Sequence, residues 1–80
     1  MSRVIHTIPK NKREAFYFTK DEFQGREYFS VRIWYDAGEE YKPTQKGVTV
    51  PVEKLSEFIE GMAALRNALN TTEDQAGKTP

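Results

Sequence analysis

Cationic and aromatic side chains share one run of the chain, Arg26-Glu27-Tyr28-Phe29-Ser30-Val31-Arg32-Ile33-Trp34-Tyr35-Asp36. In a strand, successive side chains point to opposite faces. The even positions Arg26, Tyr28, Ser30, Arg32 and Trp34 then form a row of cations and aromatics. The odd positions Phe29, Val31, Ile33 and Tyr35 form an almost wholly apolar row, which requires a core. Cations pair with phosphates, and rings stack on unpaired bases for about 1–3 kcal/mol each. Duplex bases are already stacked on one another, so such a surface favours a single strand. Ordinary sheet packing is the alternative, with Tyr28 and Trp34 as cross-strand partners and Arg32 lying over Trp34. Parity alone leaves the packing alternative slightly ahead, because half-buried aromatics are common on sheets.

Other chemistries find little support. The 80 residues contain no cysteine and a single histidine, His6, which argues against disulfides and against a zinc site. No nucleophile–acid constellation accompanies His6 and no glycine-rich phosphate loop occurs, so the chain reads as non-catalytic and free of cofactors. A chain this short builds a marginal core, and oligomerisation is the remaining way to supplement it. Formal net charge is zero, but residues 1–20 carry five bases (Arg3, Lys10, Lys12, Arg13 and Lys20) against Glu14 alone. Residues 53–80 carry five acids against three bases, an asymmetry that points to an anionic partner on the sheet side. No signal-like or membrane-spanning apolar run occurs, and the expected location is cytoplasmic, with nucleoid association as an extension.

The elements that position the run follow from its neighbours. Residues 4–8 form a β-prone stretch that Pro9 ends, and Lys10-Asn11-Lys12-Arg13 reads as a polar turn. Residues 14–20 are aromatic-rich and strand-like, and residues 21–25 read as the connection into the strand over 26–36. Ala37-Gly38-Glu39-Glu40 supplies a turn with Gly38 as its positive-φ residue. Residues 41–50 form a further strand, which Pro43 marks as an edge or a bulge. Gly47 marks a bulge at which a ligand can reach the backbone. Beyond Pro51, the residues Val52, Leu55, Phe58, Ile59, Met62, Leu65 and Leu69 recur at three and four, which predicts an amphipathic helix ending near Asn70. No capping side chain precedes Pro51, and Gly61 in mid-helix is tolerated if another backbone crosses closely there. Residues 1–70 form one domain, and the polar residues 71–80 read as a disordered tail. Four strands and one helix give an α+β domain, and a single helix leaves one sheet face open. Parity assigns that open face to Arg26, Tyr28, Arg32 and Trp34.

Aromatic-x-Gly at Phe23-Gln24-Gly25, a strand with Arg32 followed by aromatics, Lys42-Pro43-Thr44-Gln45-Lys46-Gly47-Val48-Thr49 and a closing helix together form a signature. In this order they resemble the C-terminal domain of the transcriptional coactivator family called positive cofactor four, in its short bacterial form. The resemblance spans about residues 14–69. It implies a curved four-stranded antiparallel sheet followed by one C-terminal helix, a homodimer, and channels that bind single-stranded DNA. It further implies Phe23 as a stacking ring, Arg32 as a phosphate or base contact, Trp34 or Tyr35 as a second ring, and Lys46 as a backbone contact. Parity favours Trp34, while straight alignment onto the family's tryptophan favours Tyr35. Lys20, Arg26, Tyr28 and Lys42 complete the candidate nucleic-acid-binding set, with Lys42 equally readable as an edge-protecting lysine. Phe58, Ile59, Met62 and Leu65 divide between the domain core and a partner helix. Asp21 and Gln24 stand where better-known members carry arginine and lysine, which implies weaker binding unless Lys20 compensates. The expected function is a single-stranded-DNA-binding transcriptional coactivator or regulator, with RNA polymerase or other transcription proteins as partners. The alternatives are a protein-interaction module or an RNA binder using the same face.

Overall fold

Short β-prone runs separated by polar turns favour hairpins between neighbours in sequence. The computed structural model describes residues 2–70 and contains four strands: β1 (Ser2–Pro9), β2 (Glu14–Phe23), β3 (Arg26–Asp36) and β4 (Tyr41–Pro51). They pair antiparallel in chain order, β1-β2-β3-β4, so that β1 and β4 are the edges. One turn of 3₁₀ helix (Val52–Lys54) leads into α1 (Leu55–Asn70). The four-stranded antiparallel sheet and single C-terminal helix expected from the sequence are thus present. The expected tail, residues 71–80, lies outside the described residues.

Each turn has an identifiable local cause. Between β1 and β2, the Asn11 side-chain oxygen accepts the backbone N–H groups of Arg13 and Glu14, each at 2.9 Å. This is the local side-chain mimicry of a backbone turn at which asparagine excels. The Asn11 amide and the Lys10 ammonium both reach the Glu14 carboxylate, and they hold its pKa below the ordinary glutamate value. Between β2 and β3, Gln24 and Gly25 have φ of 54° and 79°. Two successive left-handed residues are what a tight two-residue hairpin requires. That turn lets Asp21, Glu22 and Phe23 stay in the ladder, opposite Tyr28, Glu27 and Arg26. The expected connection over residues 21–25 is therefore mostly strand, because pairing across the hairpin overrides the weak strand preference of Asp and Glu. Gly38 takes the expected positive φ, 111°, and its N–H donates to the Asp36 side chain at 2.8 Å.

At the other end, Pro51 precedes the helix with no side-chain cap, as its sequence context implies. A backbone bond from Leu55 N–H to the Val52 carbonyl tightens the first turn instead, and Glu53 and Glu57 sit near its positive end.

Register sorts the sheet into two faces. One carries Phe16 and Phe18 opposite Ile33 and Val31, with Val48 and Val50 continuing the row on β4. The helix lies on this side, where Phe58 meets Phe29 edge to face at a centroid distance of 5.5 Å. Coverage is incomplete, and a groove of about 660 Å³ stays open between Phe18, Phe29, Val31 and Val48 on the sheet and Phe58 and Met62 on the helix. Among the described residues only Ala15 and Val50 are buried apolar groups, and no large side chain is fully buried. His6 is exposed on edge strand β1, its ring edge-on to Phe18.

Candidate nucleic-acid interface

The opposite face is built from the alternate residues of the same strands. β2 and β3 pair without interruption from Glu14 opposite Tyr35 to Phe23 opposite Arg26, so parity holds along the whole of β3. Arg26, Tyr28, Ser30, Arg32 and Trp34 therefore share one face. Tyr35 lies on the other, at the end of β3, opposite Lys42. The register question at Trp34-Tyr35 thus has a structural answer: the irregularity is in β4, not in β3. Between the pairs Arg32–Gly47 and Trp34–Pro43, the residues Thr44, Gln45 and Lys46 bulge opposite Ile33 alone.

That bulge shapes the surroundings of Arg32. Thr44 turns its hydroxyl back to donate to the Ile33 carbonyl at 2.6 Å and accepts the Lys46 backbone N–H at 3.1 Å. The Arg32 guanidinium then donates to the Thr44 carbonyl at 3.3 Å and to the Thr49 hydroxyl at 2.7 Å. Both acceptors are neutral, so they orient the fork without cancelling its charge, and other N–H donors remain for a ligand. Gly47 sits directly opposite, with φ of 141°, and a Cβ there would fall 2.3 Å from the Val31 carbonyl and 2.9 Å from the Arg32 Cγ. Gly47 marks a bulge, as its sequence position implies. The group that approaches its backbone is the chain's own β3, which makes a ligand unnecessary to explain the glycine.

Three aromatic rings gather beside Arg32. Tyr17 stacks on Trp34 at 4.3 Å with an 8° interplanar angle, and Tyr41 lies 5.9 Å from Tyr17 at 24°. The Trp34 indole N–H is buried without a hydrogen-bond partner. Trp34 is therefore partly a packing residue, as the packing alternative has it, but its partner is Tyr17 rather than Arg32. Farther along the face, Thr19 and Ser30 are buried and share a short hydroxyl–hydroxyl hydrogen bond across the strands. Thr19 donates its own proton to the Asp21 carboxylate at 3.1 Å, so Ser30 is the donor in the hydroxyl pair. Phe23 ends the face, 64% exposed at the hairpin, and Arg26 stands opposite it.

The structure thus brings Phe23, Arg26, Tyr28, Arg32 and Trp34 onto one face. It does not bring Lys20, Tyr35 or Lys42 there. Lys20 is opposite Phe29 on the helix side and pairs with Glu27 at 3.4 Å. Lys46 lies in the β4 bulge, near enough to Glu14 for its charge to help depress that carboxyl. Of the helix residues, Phe58 packs on Phe29, whereas Ile59, Met62 and Leu65 are 59%, 62% and 54% exposed. Tyr17, Tyr41, Thr44 and Thr49 were not singled out by the sequence. Tyr17 was within reach of it, because Phe16 and Phe18 both require the core side and leave Tyr17 the other.

A small antiparallel sheet that presents rings and guanidinium groups on an open face is the layout of modules that bind nucleic acid without catalysis. Residues 10–61 match the family model described as Transcriptional Coactivator p15 (PC4), and the chain belongs to that family of non-catalytic nucleic-acid-binding modules. The RNA polymerase II transcriptional coactivator KELP of Arabidopsis thaliana is 33% identical over 57 residues, covering 71% of this chain. The chain spans about a third of that relative's length, 34%. Two crystal forms of a PC4 homolog from Burkholderia pseudomallei K96243 share the fold. The orthorhombic form gives a TM-score of 0.76 at 23% identity, over 81% of this chain and 89% of the other. The tetragonal form gives 0.77 at 22% identity, over 82% and 98%.

Proposed function

We propose that the chain is a homodimeric single-stranded-DNA-binding protein that acts in transcription as a coactivator or regulator, with the face around Arg32 and Trp34 as its binding surface. The observation that carries this reading is the clustering of the Trp34-Tyr17-Tyr41 rings beside an Arg32 guanidinium held by neutral acceptors alone. Bases stack on the rings and on exposed Phe23, while Arg32 and Arg26 meet phosphates. The name of the plant relative supports a role in transcription, and RNA polymerase is the partner class it brings to this chain. Curvature of the sheet around the strand, and a dimer formed through α1, complete the proposal. The exposed apolar row on α1 and the open groove beside it support the dimer.

Trp34 is the single tryptophan, so its emission reports directly on this face. Oligo-dT added at low salt changes that emission, and the affinity falls as salt rises, with a log–log slope of about −0.7 per phosphate contacted. A matching duplex competes poorly. A single-stranded RNA that binds as tightly makes the module a general single-strand binder, and one that binds far more tightly replaces DNA as the ligand. No change in emission or mobility with oligo-dT at low salt would remove the proposal.

A further inference from the structure

Asp21 is out of place on a face that meets a polyanion. It lies two residues before Phe23 on β2, on the same side and about 7 Å along the strand, and it stands opposite Tyr28 on β3. Its carboxylate is held: one oxygen accepts the hydroxyl of Thr19, which is itself buried and bonded to buried Ser30. Among the described residues, no ion pair compensates it. An ionised carboxylate only accepts hydrogen bonds, and phosphate oxygens only accept, so Asp21 repels the backbone of a bound strand. The groups it attracts are the N–H donors on base edges. We infer, on the basis of the single-strand reading above, that Asp21 reads bases and gives this face a preference for guanine over thymine.

The order of preference follows from donor geometry. A base stacked on Phe23 turns an edge along the strand toward Asp21. Guanine presents two adjacent donors on its Watson–Crick edge, N1–H and the N2 amino group, which match the two oxygens of one carboxylate. Thymine presents one donor between two carbonyl oxygens, and both of those oxygens are repelled. Adenine and cytosine fall between, each with one amino group beside a ring acceptor. Asp21 is therefore a specificity-determining residue, weakening contact with the phosphates while selecting among bases.

The test is a competition titration with the full chain at low salt. The competitors are an all-thymine oligomer, the same oligomer with isolated guanines, and a third with inosine in those places. The guanine oligomer should bind at least about fivefold tighter than all-thymine, the lower end expected for a bidentate base contact. Inosine, which lacks the N2 amino group, should fall between the two. Asp21→Asn keeps an acceptor for Thr19 and removes the charge. It should abolish the guanine preference while binding all-thymine at least as tightly as the unaltered chain. Asp21→Ala serves as the second variant, and melting curves report whether each is folded. Equal affinity for the guanine and thymine oligomers overturns the inference, as does a preference that survives both substitutions. If no single strand binds at all, the single-strand reading falls and this inference falls with it, a result distinct from binding without preference.

Discussion

Phe23 and Arg32 stand at different points of the same face and carry different structural burdens. The Phe23 ring is 64% exposed at a hairpin end, so Phe23→Ala should leave stability within about 0.5 kcal/mol. If a base stacks there, oligo-dT binding should weaken by about 1–3 kcal/mol. Arg32 also ties β3 to the bulge in β4 through Thr44 and Thr49. Arg32→Ala should therefore cost about 1–3 kcal/mol of stability and weaken binding, reducing the salt slope by roughly one phosphate contact. Trp34 emission titrations at two salt concentrations, beside thermal melts, separate the two effects. Unchanged affinity in Phe23→Ala would remove stacking from the hairpin end, and unchanged affinity in Arg32→Ala would move the anionic contact elsewhere. Part of this is legible in the residues themselves, since alternation along β3 is enough to put Arg32 and Trp34 on one side. The core-facing Phe16 and Phe18 put Tyr17 on that side as well, but that Trp34 stacks on it is harder to see, because cross-strand neighbours are defined only once the register of β2 with β3 is known. The same alternation places Lys20 with Phe16 and Phe18, whereas the facing of Lys42 is hidden behind the β4 bulge, since family motifs give order along the chain and not side of sheet.

At the scale of elements, the β4 bulge does the most to set the geometry of the interface, and Gly47 is what permits it. With φ of 141° and a Cβ position 2.3 Å from the Val31 carbonyl, Gly47→Ala combines an unfavourable backbone conformation with a clash against backbone. A loss of about 3 kcal/mol or more is expected, a large share of the stability of a domain this small. Urea unfolding measures it, and a loss under about 1 kcal/mol would mean that the bulge rearranges to take a side chain. Proline and glycine announce this irregularity in the sequence, and their spacing places it on the right strand. The length of β2 is not announced. Asp21 and Glu22 are weak strand formers, and only the two-residue turn at Gln24-Gly25, with both φ values positive, carries them into the ladder. The helix is plain from its period, but the 3₁₀ turn at Val52–Lys54 is not. It reflects an uncapped start after Pro51, where backbone bonds tighten the turn in place of a side chain.

The whole molecule raises a different problem, because the single chain has too little interior. Its described fold is 18 Å thick in its shortest dimension, and large apolar side chains line an open groove rather than a closed core. Exposed Ile59 and Met62 lie along α1 where they border that groove. Beyond its own stretch of helix, no atom of the described residues stands within 4 Å of a Cβ at Gly61, so none of them supplies the close backbone crossing that would account for the glycine. A second copy packing its helix against the same row would bury this surface at about 25 cal/mol per Å², and a twofold arrangement repeats the gain on both sides of the interface. Replacing Ile59 and Met62 together by glutamate separates the cases. In a monomer, both side chains already face water, and the substitutions should shift stability by no more than about 0.5 kcal/mol each. In a dimer, they bury two charges per chain, and the protein should fall from twice the 9.3 kDa chain mass to a single one on sedimentation. Its melting point should then lose the concentration dependence that a dimer shows. Unchanged mass and melting in the variant would exclude α1 as the contact. Loss of the dimer should also weaken long single strands more than short ones, because only a strand that reaches both faces gains from their linkage.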